Sequence, residues 1–163
     1  MNFSKTNEGQ YDAIVVGSGI SGGWAAKELC EAGLKTLVLE RGRMVKHIED
    51  YPTMHKDSWD LPHGGKTPNE IVEKHYSKQK RWGFNETNRH FYNKDSDHDY
   101  DEVKPFDWIR GKQVGGRSLI WGRQTYRWSD LDFEANSKDG YGVDWPIRYK
   151  DIAPWYSHVE KFI

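Results

Sequence analysis

The apolar positions of the chain are densest in residues 11–42, and their spacing changes twice within that stretch. The run 12–16, β-branched at its last three positions, is typical of a buried parallel strand. Residues 21–32 predict a helix that Gly33 would close at its C-terminal end. The apolar run Thr36–Leu39 predicts a second strand. Together these segments predict a βαβ unit.

The turn between the first strand and the helix reads GSGISG, from residue 17 to residue 22. In this pattern Gly17 allows the tight turn, Gly19 lets the backbone approach a diphosphate, and Gly22 lets the helix pack closely on the sheet. Glu40 follows Gly22 by eighteen residues, where a carboxylate accepts hydrogen bonds from ribose hydroxyls. The context indicates a dinucleotide site rather than an ordinary glycine turn. It leaves NAD and FAD open and argues against NADP, whose 2′-phosphate a carboxylate would repel.

Composition limits the other function classes. Of the 163 residues, 36% are hydrophobic and 30% charged, and the net charge is −1, so no nucleic-acid or anionic-membrane partner is expected. No apolar run is long enough to span a membrane. Cys30 is interpreted as a small core residue of the helix, which leaves no internal disulfide. Residues 1–10 are polar and predict a disordered leader without a signal peptide, which favours the cytoplasm unless a partner carries the protein to the periplasm.

The stretch 43–107 is rich in proline and charge, and predicts a loop-rich lid with one short helix over residues 68–80, capped by Asn69. It holds most of the histidines, none in a metal-ligand spacing, so no metal site is expected. These are His47, His55, His63, His75, His90 and His98.

A second informative stretch covers residues 108–127. Gly115 and Gly116, followed by Arg117 and Ser118, combine flexible backbone with a guanidinium and a hydroxyl, which suits close approach to a flat or anionic ligand. A glycine turn beside solvated arginines is the plain alternative. The arginines that could neutralise a diphosphate are Arg110, Arg117, Arg123 and Arg127.

The last part of the chain predicts a turn at residues 144–146 and then a helix from about residue 151, with Pro154 near its first turn. His158 is expected on a face of that helix. Two strong parallel strands are few for a sheet with both faces covered, so we expect the chain to be the N-terminal part of a longer protein.

Four segments resemble the glucose–methanol–choline (GMC) oxidoreductases, in particular their sugar-oxidising branch. They are YDAIVVGSGISGGWAAKEL, LVLERG, VGGRSLIWG and DWPIRYKDIAPWYSHVEKFI, which occur in the same order and with similar spacing. The resemblance implies an α/β fold with a Rossmann-like FAD-binding domain. It divides the chain into the leader 1–10, the βαβ unit 11–42, the lid 43–107, and a second flavin-contacting block that continues into the substrate region, 108–163.

The resemblance also implies an enzyme that transfers hydride from a CH–OH group of a sugar, glycoside or polyol to N5 of FAD. In members similar to pyranose 2-oxidase, a histidine at the position of Ile120 bonds to the flavin, so here the FAD is expected to be non-covalent. The family's catalytic histidine would lie beyond Ile163. The implied cofactor-binding residues are Gly17, Gly19, Ile20, Ser21, Gly22, Glu40, Arg41, Gly115, Gly116, Ser118, Trp121 and Gly122.

A small subunit and a cytochrome c electron acceptor are compatible partners in this family. Two alternatives remain open at the level of sequence. One is an NAD-dependent dehydrogenase built on the same βαβ unit, for which the second Gly-Gly block has no obvious use. The other is a non-catalytic flavin- or nucleotide-binding subunit.

Overall fold

A computed structural model describes residues 9–80, 83–97 and 100–163. Most of the predicted leader, and His98 of the lid, lie outside the described residues. The chain forms two compact units, one that ends at Gly122 and one that runs from Arg123 to Ile163.

The first unit begins with the predicted βαβ arrangement. It consists of strand β1 (Ala13–Val16), helix α1 (Ile20–Glu31) and strand β2 (Thr36–Leu39). The helix begins one residue earlier than its pattern predicts. Gly33 has a φ of +85° and directly follows the helix cap, as its position in the sequence indicates.

Strands β1 and β2 pair in parallel, with Val15 opposite Val38. Val15 is buried, whereas Ile14 is 62% exposed and Val16 is 82% exposed. A parallel sheet usually has both faces covered, and the described residues place two strands in this one. The α/β class is therefore confirmed for this small unit, while the complete Rossmann-like domain stays a prediction.

The interpretation of Cys30 as a core residue is wrong, because its side chain is exposed. Helix α1 contributes no fully buried residue to the core. Two short strands cover only part of the surface of a twelve-residue helix, and Cys30 lies outside the covered part.

The lid segment contains helix α2 (Asn69–His75), which is shorter than predicted. Pro68, rather than Asn69, occupies the cap position. The helix ends early because the chain turns inward to bury Tyr76 and Gln79. The amide of Gln79 donates to the backbone oxygen of Trp108 over 2.9 Å, which satisfies its buried polar group. Single turns of 3₁₀ helix occupy Ser58–Asp60, Arg89–Phe91, Asp95–Asp97 and Gly116–Leu119. Pro62–Gly65 forms a turn in which His63 and Gly64 have positive φ values.

The second unit consists of helices α3 (Asp130–Phe133), α4 (Ala135–Asp139) and α5 (Tyr149–Phe162). Helix α5 begins two residues earlier than expected, so Pro154 lies in its second turn rather than its first. The early start follows from the carboxylate of Asp151, which accepts a hydrogen bond from the backbone N–H of the residue before the helix.

His158 is an exposed residue of α5, and the prediction for it is confirmed.

Candidate functional site

The glycine turn between β1 and α1 adopts the geometry that its sequence requires. Gly17 has a φ of +88°, which side-chain-bearing residues rarely adopt. At Gly22 an added Cβ would lie 2.0 Å from the backbone oxygen of Gly17. The turn and packing roles predicted for these two glycines are therefore confirmed.

Gly19 occupies the N-cap position of α1 but has no side chain that could accept hydrogen bonds from the first N–H groups of the helix. It offers no side-chain hydrogen bond to the first N–H groups, and the first turn contains no acidic residue. No atom lies within 4 Å of the position that its Cβ would occupy. Uncapped N–H groups and the positive end of the helix dipole form a binding site for an anion.

The Gly-Gly block lies against this turn. An added Cβ on Gly116 would be 3.5 Å from Cα of Gly19, and both glycines of the block have positive φ values. Gly42, just beyond β2, contacts the chain that leads into the block. A Cβ added to Gly42 would lie only 2.4 Å from the backbone of Gln113, so the two backbones are in close contact. Two stretches far apart in sequence are thus joined through their backbones.

Ser18 connects the turn, β2 and the block. Its hydroxyl donates to Oε2 of Glu40 over 2.6 Å and accepts the backbone N–H of Gly115 over 3.1 Å. The backbone N–H groups of Ser18 and Gly42 also donate to the Glu40 carboxylate, at 2.9 and 2.7 Å. The Ser18 hydroxyl, followed by these N–H groups, lowers the pKa of Glu40 to about 2. Glu40 is therefore held as a carboxylate.

A cleft of about 490 Å³ lies between the glycine turn and the block. It brings together seven of the residues predicted from the sequence, whereas Glu40, Arg41 and Gly122 do not line it. Gly115 and Gly116 do not line the cleft but contact the glycine turn, at Ser18 and Gly19 respectively. The lining residues are Val16, Gly17, Gly19, Ile20, Ser21, Gly22, Arg117, Ser118 and Trp121.

Among the arginines proposed to neutralise a diphosphate, Arg117 lines the cleft. Arg110 instead stacks on Tyr100 and Trp108, at about 5 Å from each ring. Arg127, in the second unit, forms an ion pair with Glu160. Spacing along the chain cannot distinguish these arginines, since each lies near the glycines in sequence.

The sequence did not indicate Ser18 as a site residue, and it named Arg117 only as one of four arginines that could neutralise a diphosphate. Ser18 occupies a variable position of the fingerprint, and its one signal was a hydroxyl between two glycines. Its bond to a residue 97 positions away could not be inferred from local pattern.

The cleft has the donors that a diphosphate needs: helix N–H groups and a guanidinium, with Trp121 as a flat apolar wall. In the ranges 9–80, 83–97 and 100–163, no three histidine, cysteine or acidic side chains cluster as metal ligands would. No helix within those ranges has both the length and the apolar character needed to cross a membrane.

A βαβ unit with a glycine turn of this kind is common among dinucleotide-binding proteins. No family model matches the chain. Similarity to individual proteins is nevertheless extensive. The chain is 27% identical to 2-methyl-1,2-propanediol dehydrogenase of Mycolicibacterium austroafricanum, over 93% of this chain and 24% of that protein.

It is 27% identical to the fructose dehydrogenase large subunit of Gluconobacter japonicus, over 91% of this chain and 26% of that protein. It is 28% identical to the gluconate 2-dehydrogenase flavoprotein of Pantoea cypripedii, over 92% of this chain and 24% of that protein. These relatives are GMC-type oxidoreductases, so the resemblance noted in the sequence is confirmed. The chain spans about a quarter of the length of these curated relatives.

Proposed function

We propose that this chain is the flavin-binding part of an FAD-dependent oxidoreductase that acts on a CH–OH group of a sugar, glycoside or polyol. The observation that carries the proposal is the cleft between the glycine turn and the Gly-Gly block, whose donors suit a dinucleotide diphosphate. Bound FAD would supply the hydride acceptor, and the protein would orient it and exclude water.

The residues of the cleft suit different parts of the cofactor. We assign the diphosphate to the open start of α1 and to the guanidinium of Arg117. Trp121 and Ile20 provide apolar surface beside it. The adenosine ribose would share the Glu40 carboxylate with the donors from Ser18 and Gly42. Since Ile120 occupies the position of the flavin-bonding histidine of family members similar to pyranose 2-oxidase, the cofactor would be held without a covalent bond at this position.

The substrate class is drawn from the relatives. Their names refer to a diol, a ketose sugar and a sugar acid, all of which carry CH–OH groups. We expect the base that accepts the hydroxyl proton to lie outside residues 1–163, since no histidine of this chain matches the family's catalytic motif. A small subunit, a cytochrome c acceptor and the cellular compartment belong to the same proposal.

The first test is an absorption spectrum of the purified full-length protein, with chromatography of the nucleotide released by denaturation. FAD bands and released FAD would support the proposal, whereas NAD would favour the nicotinamide alternative. Dye reduction with a panel of sugars, glycosides and polyols then tests the substrate class. Flavin without any such activity would favour a non-catalytic flavin-binding subunit.

The second test removes one charge from the cleft. Arg117→Ala should raise the dissociation constant for FAD about ten- to a hundredfold, because a charge-assisted hydrogen bond contributes about 1.5–3 kcal/mol. Arg123→Ala is the matched control, since Arg123 does not line the cleft. Equal FAD affinity in the two variants would show that the diphosphate does not bind beside Arg117.

A further inference from the structure

A second and larger cavity lies in the lid segment of the first unit. Its volume is about 730 Å³, and it shares no lining residue with the cleft beside the glycine turn. Helix α2 and the chain around residues 89–97 form its walls, together with Lys112 from the stretch before the Gly-Gly block. Neither the FAD assignment nor the proposed substrate uses this cavity.

Three of the ten residues that line the cavity are lysine or arginine, and the charge of one of them, Arg89, is offset by Glu86. Arg89, Lys94 and Lys112 line it, and Asp97 is the one acidic residue of its lining. Arg89 also forms an ion pair with Glu86, at 2.8 Å, which fixes its guanidinium. The whole chain carries a net charge of only −1, so this grouping of positive charge is local. Such a lining attracts anions.

Two buried polar atoms of the lining residues are unsatisfied. Nδ2 of Asn93 and Nδ1 of His75 have no hydrogen-bond partner among the residues that the structure describes. Asn93 is only 9% exposed, and its backbone N–H is fixed by a 3.1 Å hydrogen bond to the oxygen of Arg110. Both atoms are closed to solvent, so they lie behind the surface of the cavity and are not offered to a molecule inside it.

Two tyrosines also line the cavity, Tyr76 and Tyr92. Tyr76 and Tyr92 are both buried, and the ring of Phe84 lies between them with centroid distances of 5.0 Å to each. A cavity of this volume exceeds what an inorganic ion fills and is within the range of small-molecule sites. The lining therefore offers cationic groups for an anionic head and an aromatic surface for an organic body.

We propose that this cavity binds a small organic oxyanion, namely a carboxylate or phosphate ester of about the size of a monosaccharide. Its charged group pairs with Arg89, Lys94 and Lys112. Its body packs against the two tyrosines. The site is distinct from the FAD cleft and gives the lid a ligand of its own.

Isothermal titration of the full-length protein, saturated with FAD, tests the proposal. The probes are gluconate, glucose 6-phosphate, inorganic phosphate and neutral glucose. We expect gluconate or glucose 6-phosphate to bind with a dissociation constant below about 1 mM, and whichever binds identifies the head group. Failure of both anions to bind, or equal binding of glucose, would overturn the proposal. Inorganic phosphate binding as tightly as glucose 6-phosphate would remove the role of the aromatic surface.

Variants locate the binding. Lys94→Gln should raise the dissociation constant of the anion about tenfold, as expected for loss of one charge-assisted contact. Lys56→Gln removes an equally exposed charge that does not line the cavity and should leave affinity unchanged. Equal affinity in the Lys94 and Lys56 variants would place the anion elsewhere and refute the site, whatever the flavin content proves to be.

Discussion

The hydroxyl of Ser18, in the glycine turn, forms hydrogen bonds both to Glu40 at the end of β2 and to Gly115 of the Gly-Gly block. We predict that Ser18→Ala destabilises the protein even though it removes a single oxygen atom. The change deletes the 2.6 Å hydrogen bond to Glu40 and leaves the N–H of Gly115 without its acceptor. The backbone N–H groups of residues 18 and 42 would still donate to the carboxylate.

The magnitude follows from these two contacts. A hydrogen bond to a charged group contributes about 1.5–3 kcal/mol and one between neutral groups about 0.5–1.5 kcal/mol. Both contacts are only partly buried, which favours the lower ends of these ranges. We therefore expect Ser18→Ala to lower the free energy of unfolding by about 2–3 kcal/mol near pH 7.

The loss should depend on pH in a defined direction. The Ser18 hydroxyl is the largest cause that lowers the pKa of Glu40 from its ordinary 4.5 to about 2. A lowered pKa in the folded state stabilises the protein fully above 4.5, and this contribution is lost as the pH falls through about 2. Removing the hydroxyl raises the folded-state pKa of Glu40. The cost of the substitution should therefore be smaller at acidic pH, by about 1 kcal/mol after allowance for solvent screening.

Urea unfolding of the two proteins at neutral and acidic pH measures the difference, and NMR titration of the Glu40 carboxyl measures its pKa. Ser96→Ala is the control, because that residue is exposed and its hydroxyl donates to the adjacent Asp97. A cost for Ser18→Ala that equals the control, or that does not change with pH, would refute the role assigned to the hydroxyl.

Three further predictions test the site. Gly22→Ala should lower the free energy of unfolding by about 3 kcal/mol or more, because the added Cβ would lie 2.0 Å from the oxygen of Gly17. The control is Gly23→Ala, whose Cβ would have its nearest neighbour at 3.8 Å and which should stabilise the helix by about 0.5–1 kcal/mol. Glu40→Gln should weaken FAD retention by about 1–3 kcal/mol, measured as flavin release on dilution, and unchanged retention would exclude a ribose contact. Acid precipitation of the full-length protein should release its flavin into the supernatant, because Ile120 cannot form a histidyl bond; a yellow pellet would contradict this.

The local elements of the first unit could be predicted from the sequence. The bounds of β2 agree with the apolar run, and those of α1 differ by one residue. Gly17 and Gly22 have the conformation and the packing that their pattern predicts. Each of these features depends on residues close by in the sequence. Hydrophobic periodicity and glycine positions predict structure over that short range.

Features that depend on distant partners were not predictable. Cys30 is exposed because the two described strands cover little of its helix, and no local pattern reports how wide a sheet is. Helix α5 begins at Tyr149, whose backbone N–H donates over 2.8 Å to the carboxylate of Asp130, nineteen positions away.

What the sequence by itself determined is the βαβ unit and its glycine turn, since local spacing encodes both. What only the tertiary structure decided is which distant groups complete the site. Arg117 rather than Arg110 lines the cleft, and Ser18 bonds to Gly115 across 97 positions. Those choices depend on where the chain returns after the lid, which is fixed by the packing of buried side chains and by backbone contacts between remote segments.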